Sequence, residues 1–255
     1  RSQEPTPTEA PTTAPEEVSQ QSTDGKTLVV AEISDDPGKS IRTFQPFVDY
    51  LTENLDEQGV VGGEVQVAPD LDTMVEMMVN GEVDIFIDSL YPALIVSNGS
   101  GAQPILRRWK DGVEEYHTVI FAQQSSGFSS VEDLVGQTIA FEEEFSTSGY
   151  LLPSAYLIDA GLNLVELPDT DTAPEEDTVG YVFTNDDSNT LQWVISGLVS
   201  AAATDIESYN EMSEETRDSL VILAETDPIP RQVVLVNDDL DEDLVTAISV
   251  ILQAM

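Results

Sequence analysis

From Thr27 onward, the chain alternates short runs of β-branched and other apolar residues with stretches whose apolar residues fall on one face of a helix. The first run is TLVVAEI at 27–33, and EVQVA at 64–68 and VDIFI at 83–87 follow it. After the first run we predict a helix, because Phe44, Phe47, Val48, Leu51 and Leu55 fall on one face. Between the last two runs lies a second helical stretch that Asp70 can cap and Gly81 can end. Because strands that alternate with helices form βαβ units, the sequence predicts an α/β fold with mainly parallel strands.

The same alternation continues to the end of the chain. The stretch at 169–177 is acidic and contains proline, so we predict a surface loop there. We predict the remaining strands in EYHTVIFAQ from 115, at 137–141, at 179–183, up to 203, at 220–224 and at 231–236, and the remaining helices at 148–161, at 188–196, after a cap at Asp205 and from 244 onward.

The charge balance is strongly acidic, with 49 Asp and Glu against 9 Lys and Arg and a net charge of -40. Surfaces that bind nucleic acid or anionic membranes need basic patches, so the composition argues against both partners. Two origins of the acidity remain open: adaptation to high salt, where counterions screen self-repulsion, and an acidic extracellular protein of ordinary habitat. The scarcity of Lys favours the first.

Residues 1–26 differ from the rest, because Pro, Thr, Glu, Ser and Gln dominate there and bulky apolar residues are nearly absent. This composition predicts a disordered tether, although a disordered terminus without a role fits equally well. The chain has no Cys, which excludes disulfides and thiol catalysis. It has no apolar run of about eighteen residues, so we predict no membrane span. Its start at Arg1 rather than Met is compatible with removal of a signal peptide.

The segment FSTSGYLLP at 145–153 is the strongest candidate for a binding site. Three hydroxyl residues, Ser146, Thr147 and Ser148, precede a glycine and open an apolar helical run. A helix start carries unpaired N–H groups and the positive end of the helix dipole, so this turn suits an anion. The alternative is a simple helix N-cap without a ligand.

Two further groups of polar residues are candidates. Asp88, Ser89 and Tyr91 directly follow a predicted strand, and ligands of open α/β sheets lie outside the carboxyl ends of strands. Tyr91 is either a hydroxyl donor to a ligand or a core aromatic residue. Three of the nine basic residues, Arg107, Arg108 and Lys110, fall within four positions, and an Arg fork fits two phosphoryl oxygens. Structural pairing with nearby carboxylates is the alternative for this basic group.

Four segments together resemble one protein family, the solute-binding proteins of ABC importers for phosphonate, phosphite and related oxyanions. They are NGEVDIFIDSLYPAL at 80–94, SSVEDLVGQTIAF at 129–141, STSGYLLP at 146–153 and SGLVSAAATDIESYNEM at 196–212. The resemblance spans nearly all of the chain from Thr27, and the four segments stand in the order of the family.

The resemblance implies a type II periplasmic-binding-protein fold, in which two α/β lobes clamp a ligand and two crossover strands join them. It places lobe one at 27–120 plus 231–255 and lobe two at 121–230, with crossovers near 119–123 and 229–233. Family members usually continue past the position of Met255, which implies a further terminal helix.

The resemblance also assigns roles to residues. In the family, the turn that matches Ser146, Thr147 and Ser148 contacts phosphoryl oxygens, and an acidic residue at the position of Asp205 faces the ligand. As residue types alone, Asp205 fits a helix N-cap equally well. The chain departs from the family at 185–188, where Asp187 stands in the position of a His. A carboxylate there accepts a hydrogen bond from a protonated oxyanion or pairs with an ammonium group, so we hypothesise a ligand that carries a proton or a cation besides its negative charge.

The function that the resemblance implies is capture of a small oxyanion and its delivery to ABC permease subunits, by a monomer without enzymatic activity. We predict no cofactor and no metal site. The implied location is periplasmic or extracellular, with a lipid anchor at the outer face of the membrane, since many such proteins carry a lipidated Cys before a linker of this kind. Two alternatives remain: an input module that senses the same ligand for a signalling partner, and an enzyme that uses the carboxylates of the cleft.

Overall fold

A computed structural model describes residues 25–34 and 36–255, and thirteen strands and eight α-helices lie in these ranges. The strands are β1 Lys26–Ile33, β2 Val60–Ala68, β3 Ile85–Asp88, β4 Gln103–Arg108, β5 Glu115–Tyr116, β6 Thr118–Gln123, β7 Thr138–Phe141, β8 Leu164–Glu166, β9 Val179–Phe183, β10 Ala201–Asp205, β11 Leu220–Glu225, β12 Ile229–Pro230 and β13 Gln232–Val236. The helices are α1 Pro37–Glu53, α2 Leu71–Val79, α3 Leu90–Ser100, α4 Leu152–Asp159, α5 Asp187–Ser196, α6 Ile206–Glu211, α7 Glu214–Asp218 and α8 Glu242–Gln253.

Helix boundaries follow the side chains that cap them. The carboxylate of Asp70 accepts the N–H of Thr73 at 2.7 Å and starts α2, while that of Asp205 accepts the N–H of Ser208 at 3.0 Å and starts α6. Helix α5 ends at Gly197, which has a φ of 73°. Such a positive φ costs glycine little, and it ends the helix as the sequence predicts.

Most strands form two sheets of mixed direction. The first sheet has the order β2-β1-β3-β13-β4, and the second has the order β11-β6-β10-β7-β9-β8. Strand β1 is parallel to β2 and β3, whereas β13 is antiparallel to both β3 and β4, and β6 is antiparallel to β10 and β11. The prediction of mainly parallel strands is therefore wrong in detail. The chain enters β13 and β6 through extended connections between the sheets, which deliver these strands in the opposite direction.

Each sheet is covered on both faces by helices and forms one lobe. The first lobe contains the five-stranded sheet with α1, α2, α3 and α8, and the second contains the six-stranded sheet with α4, α5, α6 and α7. Separate apolar clusters fill the two faces of each sheet. Burial on both faces explains why the central strands are apolar runs rather than alternating ones.

Two antiparallel connections join the lobes. Strand β5 pairs with β12, and we call these two strands the connecting ribbon. Residues 119–123, near which we expected one crossover, lie in β6 and pair with β10 in the second sheet, directly after the ribbon strand β5. The lobe boundary that we placed after residue 120 accordingly falls inside a strand. The cause is that EYHTVIFAQ reads as one continuous run, whereas His117 interrupts it between ribbon and sheet.

Some elements have no counterpart in the sequence-based expectations. Helices α3 and α7 and strands β4 and β8 were not predicted. Most of the predicted tether, residues 1–24, lies outside the described residues. Within the described part of the chain, each helix is too short or too polar to cross a bilayer.

Candidate functional site

A cleft of about 870 Å³ lies between the lobes. Its walls come from the carboxyl ends of β1, β2 and β3 in the first lobe, from the segments that follow β7, β9 and β10 in the second lobe, and from the connecting ribbon. Its charged residues are Asp88, Lys110, Glu142, Glu143, Asp186, Asp205 and Arg231. Its other residues are Ile33, Ser34, Pro69, Leu71, Ser89, Pro92, Tyr116, Phe145, Ser146, Thr147, Ser148, Asn185, Ser188 and Gln232.

The hydroxyl-rich turn after β7 starts with a π-helical turn over Thr147–Leu151, which continues into α4. The Ser146 hydroxyl accepts the N–H of Gly149 at 2.9 Å, so this residue acts as the N-cap. A Cβ on Gly149 would lie 2.6 Å from Cβ of Glu142, which leaves no room for a larger residue. Glycine therefore allows the turn to pack closely against Glu142, and π-helical turns of this kind occur frequently at functional sites.

Thr147 and Phe145 contact the first lobe directly. The Thr147 hydroxyl accepts the N–H of Tyr91 at 2.9 Å and donates to the Ser89 hydroxyl at 2.9 Å. Phe145 packs against a buried cluster of the first lobe that includes Leu71. The two lobes thus already touch across the cleft, and the Thr147 hydroxyl has two protein partners.

Ser148 belongs to a polar group at the ribbon end of the cleft. The buried Tyr116 hydroxyl lies beside the hydroxyls of Ser148 and Thr147, and burial raises the pKa of Tyr116. The guanidinium of Arg231 stacks on the Tyr116 ring, 4.2 Å from its centroid. This stacking fixes the fork of Arg231 at the cleft wall, where it can bind an oxyanion.

Asp205 lies at the same end of the cleft and is also a helix cap. It accepts the N–H of Ser208 and, at 2.7 Å, its hydroxyl. Burial acts to raise the pKa of Asp205, but these hydrogen bonds outweigh burial and the pKa lies below its usual value. The pKa of the neighbouring Glu207 is raised by burial and by its hydrogen bond to Asp205. Of the two carboxyl groups, Asp205, which lines the cleft, is therefore the one that loses its proton more readily.

Two other carboxylates that line the cleft have raised pKa values and so bind protons more readily than usual. Burial raises the pKa of Asp88 to about 6, despite a 2.6 Å hydrogen bond from the N–H of Ser89. Burial likewise raises the pKa of Glu142, to which nearby carboxylates also contribute. A carboxyl group that accepts a proton can donate a hydrogen bond to a bound oxyanion instead of repelling it.

Charge in the cleft is therefore balanced towards the negative. Among the described residues, five carboxylates and two cations, Lys110 and Arg231, line it. At the rim of the cleft, Asn185 has a left-handed backbone conformation with a φ of 58°. Its N–H donates a hydrogen bond to the Glu142 carbonyl at 2.7 Å. In the part of the chain that the structure describes, no three His, Asp or Glu side chains gather in a way that could hold a metal ion.

Six residues of the predicted site lie together in this cleft: Asp88, Ser89, Ser146, Thr147, Ser148 and Asp205. Tyr91 and Arg108 lie outside its walls. Tyr91 offers its N–H to Thr147, while Arg108 binds Gln232 and stacks over Phe44 at 5.6 Å. Because Arg108 stacks over Phe44 of α1 and binds Gln232, which lines the cleft, its contact with a ligand stays a prediction.

Three other predicted residues complete the comparison. Helix α5 begins at Asp187, whose side chain lies outside what the structure describes. Arg107 is exposed and pairs with Glu115 at 3.5 Å, which matches the structural alternative for that residue. Within the basic group at 107–110, Lys110 is the residue that lines the cleft.

Arg231 and Glu142 are functional candidates that the sequence-based reasoning missed. The sequence position of each residue could have identified it. Glu142 follows directly on strand β7, as Asp88 ends strand β3, and Arg231 is one of few cations and lies on a predicted crossover. What the sequence does not show is the contact between Arg231 and Tyr116, since these residues are distant in the chain.

Comparison with solved structures identifies the fold. The chain superimposes on XAC2383 from Xanthomonas citri, in a structure bound to ATP, with a TM-score of 0.83 and 27% identity over 88% of this chain and 82% of that one. It also superimposes on PhnD1 from Prochlorococcus marinus in complex with methylphosphonate, with a TM-score of 0.64 and 17% identity over 90% and 83% of the two chains. The fold is the type II periplasmic-binding-protein fold, as the sequence predicts.

Sequence comparison gives the family. The phosphate-import protein PhnD of Mycolicibacterium smegmatis is 27% identical over 141 residues, which are 54% of this chain and 43% of that relative, so less than half of its length is matched. The family described as ABC transporter, phosphonate, periplasmic substrate-binding protein matches residues 31–255. That family consists of transporter binding proteins rather than enzymes. The chain therefore belongs to the family of periplasmic phosphonate-binding proteins of ABC transporters.

Proposed function

We propose that the chain is an extracytoplasmic solute-binding protein that captures a small oxyanion of the phosphonate, phosphite or phosphate type and delivers it to an ABC permease. The observation that carries this proposal is the group formed by Arg231, Tyr116 and Ser148 at the ribbon end of the cleft. A stacked guanidinium beside hydroxyl donors is suited to a tetrahedral oxyanion, because its fork can bind two oxygens.

The energies of such contacts are adequate. Hydrogen bonds to a charged group contribute about 1.5 to 3 kcal/mol each. Four or five of them contribute about 6 to 15 kcal/mol, and the upper half of this range, less several kcal/mol for the lost freedom of the ligand, reaches the roughly -8 kcal/mol that corresponds to micromolar binding. Closure of the two lobes would bring the donors of both walls onto one ligand without any chemical step.

The carboxylates of the cleft narrow the ligand class. Five acidic side chains surround the two cations, so a fully ionised anion meets repulsion as well as attraction. A zwitterion, or an oxyanion that retains a proton, offers these carboxylates a hydrogen bond or an ion pair. Aminoalkylphosphonates and phosphite are accordingly the first candidates.

Titration calorimetry with a panel of anions tests the proposal. Phosphite, methylphosphonate and 2-aminoethylphosphonate are expected to bind, and sulfate, which has no proton to donate at neutral pH, is expected to bind at least tenfold more weakly. Thermal unfolding with each anion provides a second readout, since a ligand at 100 times its dissociation constant adds about 2.7 kcal/mol to stability. Equal affinity for sulfate would contradict the role of the carboxylates, and failure of the whole panel would contradict oxyanion capture.

A larger phosphate compound belongs in the same panel. XAC2383, which is 27% identical to this chain, has a structure bound to ATP, so ATP is a second candidate ligand.

Delivery is tested with the permease and its ATPase in liposomes. If the loaded protein stimulates ATP hydrolysis there, the chain serves import, whereas an unstimulated ATPase together with tight ligand binding would favour a sensory role.

We include membrane tethering through the segment at 1–26 in the proposal, and lipid labelling of the native protein tests it.

Replacement of Ser148 by alanine is expected to weaken oxyanion binding at least tenfold. The substitution removes the hydroxyl that lies beside Tyr116 in the cleft. It keeps the backbone carbonyl of residue 148, which accepts a hydrogen bond from the Thr118 hydroxyl at 2.8 Å in the wild type. Calorimetry measures the affinity. Ser125→Ala is a matched control, because the Ser125 hydroxyl binds Gln123 on the surface, away from the cleft. An affinity unchanged by Ser148→Ala would exclude this hydroxyl as a ligand contact.

A further inference from the structure

The cleft is much larger than an inorganic oxyanion. A tetrahedral ion of five heavy atoms takes roughly the room of three waters, or about 90 Å³ at 30 Å³ per water. The cleft volume of about 870 Å³ is almost ten times greater. It lies within the range of roughly 300 to 1,000 Å³ that is typical of pockets for drug-sized ligands.

The edge of the first sheet spreads the cleft residues along a line. Ile33 pairs with Ala68 across β1 and β2, and Asp88 pairs with Val233 across β3 and β13. Ala31 pairs with Phe86, so the same register brings Ile33 level with Asp88. Neighbouring strands lie about 4.8 Å apart, which puts about 14 Å between the β2 and β13 ends of this edge.

The two ends of this line differ in chemistry. The β13 end carries Arg231 and Gln232, next to the connecting ribbon. The β2 end carries Ile33, Pro69 and Leu71, which are apolar. Phe145 reaches over from the second lobe and packs against the buried cluster that contains Leu71. The first-lobe wall at the β2 end is thus apolar apart from Ser34, Phe145 adds an apolar side chain from the second lobe, and Asn185 and Asp186 keep part of the second-lobe wall polar.

We infer that the cleft binds an elongated organophosphonate or phosphate monoester, whose oxyanion lies at Arg231 and whose apolar substituent lies against Ile33, Pro69, Leu71 and Phe145. This inference rests on the proposed function and names its ligand class more narrowly. From β13 to β1 the distance is two strand spacings, about 10 Å. Three bonds of an extended chain advance about 3.8 Å, so a substituent of roughly five or six carbons reaches Ile33 once the oxyanion is in contact with Arg231.

A series of alkylphosphonates tests the inference by calorimetry on the full chain. Methyl-, propyl-, butyl- and hexylphosphonate share one head group and differ only in the length of the apolar substituent. Burial of a methylene strengthens binding by roughly two- to fourfold when it is partly to fully removed from water. Hexylphosphonate is therefore expected to bind at least tenfold more tightly than methylphosphonate.

Ile33→Thr tests the location of the substituent. Threonine keeps the β-branched shape that suits the strand but places a hydroxyl at the apolar end of the cleft. The variant is expected to weaken hexylphosphonate at least fivefold and to change methylphosphonate less than twofold. Val61→Thr is the matched control, because Val61 is an exposed aliphatic residue of the same sheet outside the cleft, and it should change neither affinity.

The outcomes separate this inference from the proposed function. Equal binding of methyl- and hexylphosphonate, or equal weakening of both by Ile33→Thr, would overturn the elongated ligand and leave oxyanion capture intact. Absence of binding for the whole series and for phosphite and phosphate would overturn both. Length-dependent gain that Ile33→Thr abolishes, with the control unchanged, would support the inference.

Discussion

Arg231→Ala is expected to weaken oxyanion binding at least 100-fold. Arg231 presents a guanidinium at the cleft wall, and its stacking on Tyr116 at 4.2 Å holds it there. Two charge-assisted hydrogen bonds from its fork contribute about 1.5 to 3 kcal/mol each, and about 2.7 kcal/mol corresponds to a 100-fold change in affinity. Titration calorimetry with methylphosphonate or phosphite measures the loss directly.

Two further variants distinguish the effects of the positive charge of Arg231, of its planar fork and of the net charge of the protein. Arg231→Lys keeps the positive charge but loses the planar fork, so its affinity should lie between those of the wild type and Arg231→Ala. Arg107→Ala removes one positive charge outside the cleft, from an exposed side chain paired with Glu115, and should alter affinity less than twofold. If Arg107→Ala weakens binding as strongly as Arg231→Ala, the effect comes from net charge and the Arg231 site is wrong.

The role of Arg231 shows where sequence reasoning ends. The segment Val179–Phe183 is a strand with the limits that its composition predicts, and Asp70 and Asp205 cap helices as their positions indicate. These features depend on residues close together in the chain. The contact between Arg231 and Tyr116 depends on the pairing of β12 with β5, which no local pattern encodes.

Helix α3 escaped prediction for a different reason. Its residues Leu90, Pro92 and Ala93 to Val96 place apolar groups on nearly every side, so they show neither helical nor alternating periodicity. Packing against α2 and β13 decides its structure. The predicted cleft residues were found more readily, because Asp88, Ser146 and Asp205 all stand directly after strands or at helix starts, positions that the chain order alone reveals.

The ligand-free protein is expected to become more stable at neutral pH when Asp88 is replaced by asparagine. Burial raises the pKa of Asp88 in the folded protein to about 6, from 3.8 for an exposed carboxyl. The stabilising contribution of the protonated carboxyl is fully present below pH 3.8 and is lost as the pH rises through about 6. A shift of about two pKa units corresponds to about 3 kcal/mol as an upper limit, so a gain of about 1 to 3 kcal/mol is expected above pH 7.

Asparagine suits this test because its side-chain oxygen can still accept the N–H of Ser89, which donates to the Asp88 carboxylate at 2.6 Å. Thermal unfolding at pH 7.5 should show a melting temperature several degrees higher than that of the wild type, at roughly 2 to 4 °C per kcal/mol. Towards pH 4 the difference should shrink to below about 1 kcal/mol, since the folded wild type is then protonated at Asp88.

Asp72→Asn provides the control for removing one negative charge from so acidic a chain, because Asp72 is exposed in the first turn of α2. If Asp88→Asn raises stability more than the control does at pH 7.5, and the gain disappears at low pH, the ionised Asp88 carboxylate destabilises the ligand-free protein. A destabilised Asp88→Asn protein at pH 7.5 would instead mean that the ionised carboxylate is well compensated there. An ionised carboxylate that destabilises the ligand-free protein is stabilised when a cationic group or a proton donor of the ligand binds beside it. Asp88 would then link the choice of ligand to the stability of the protein.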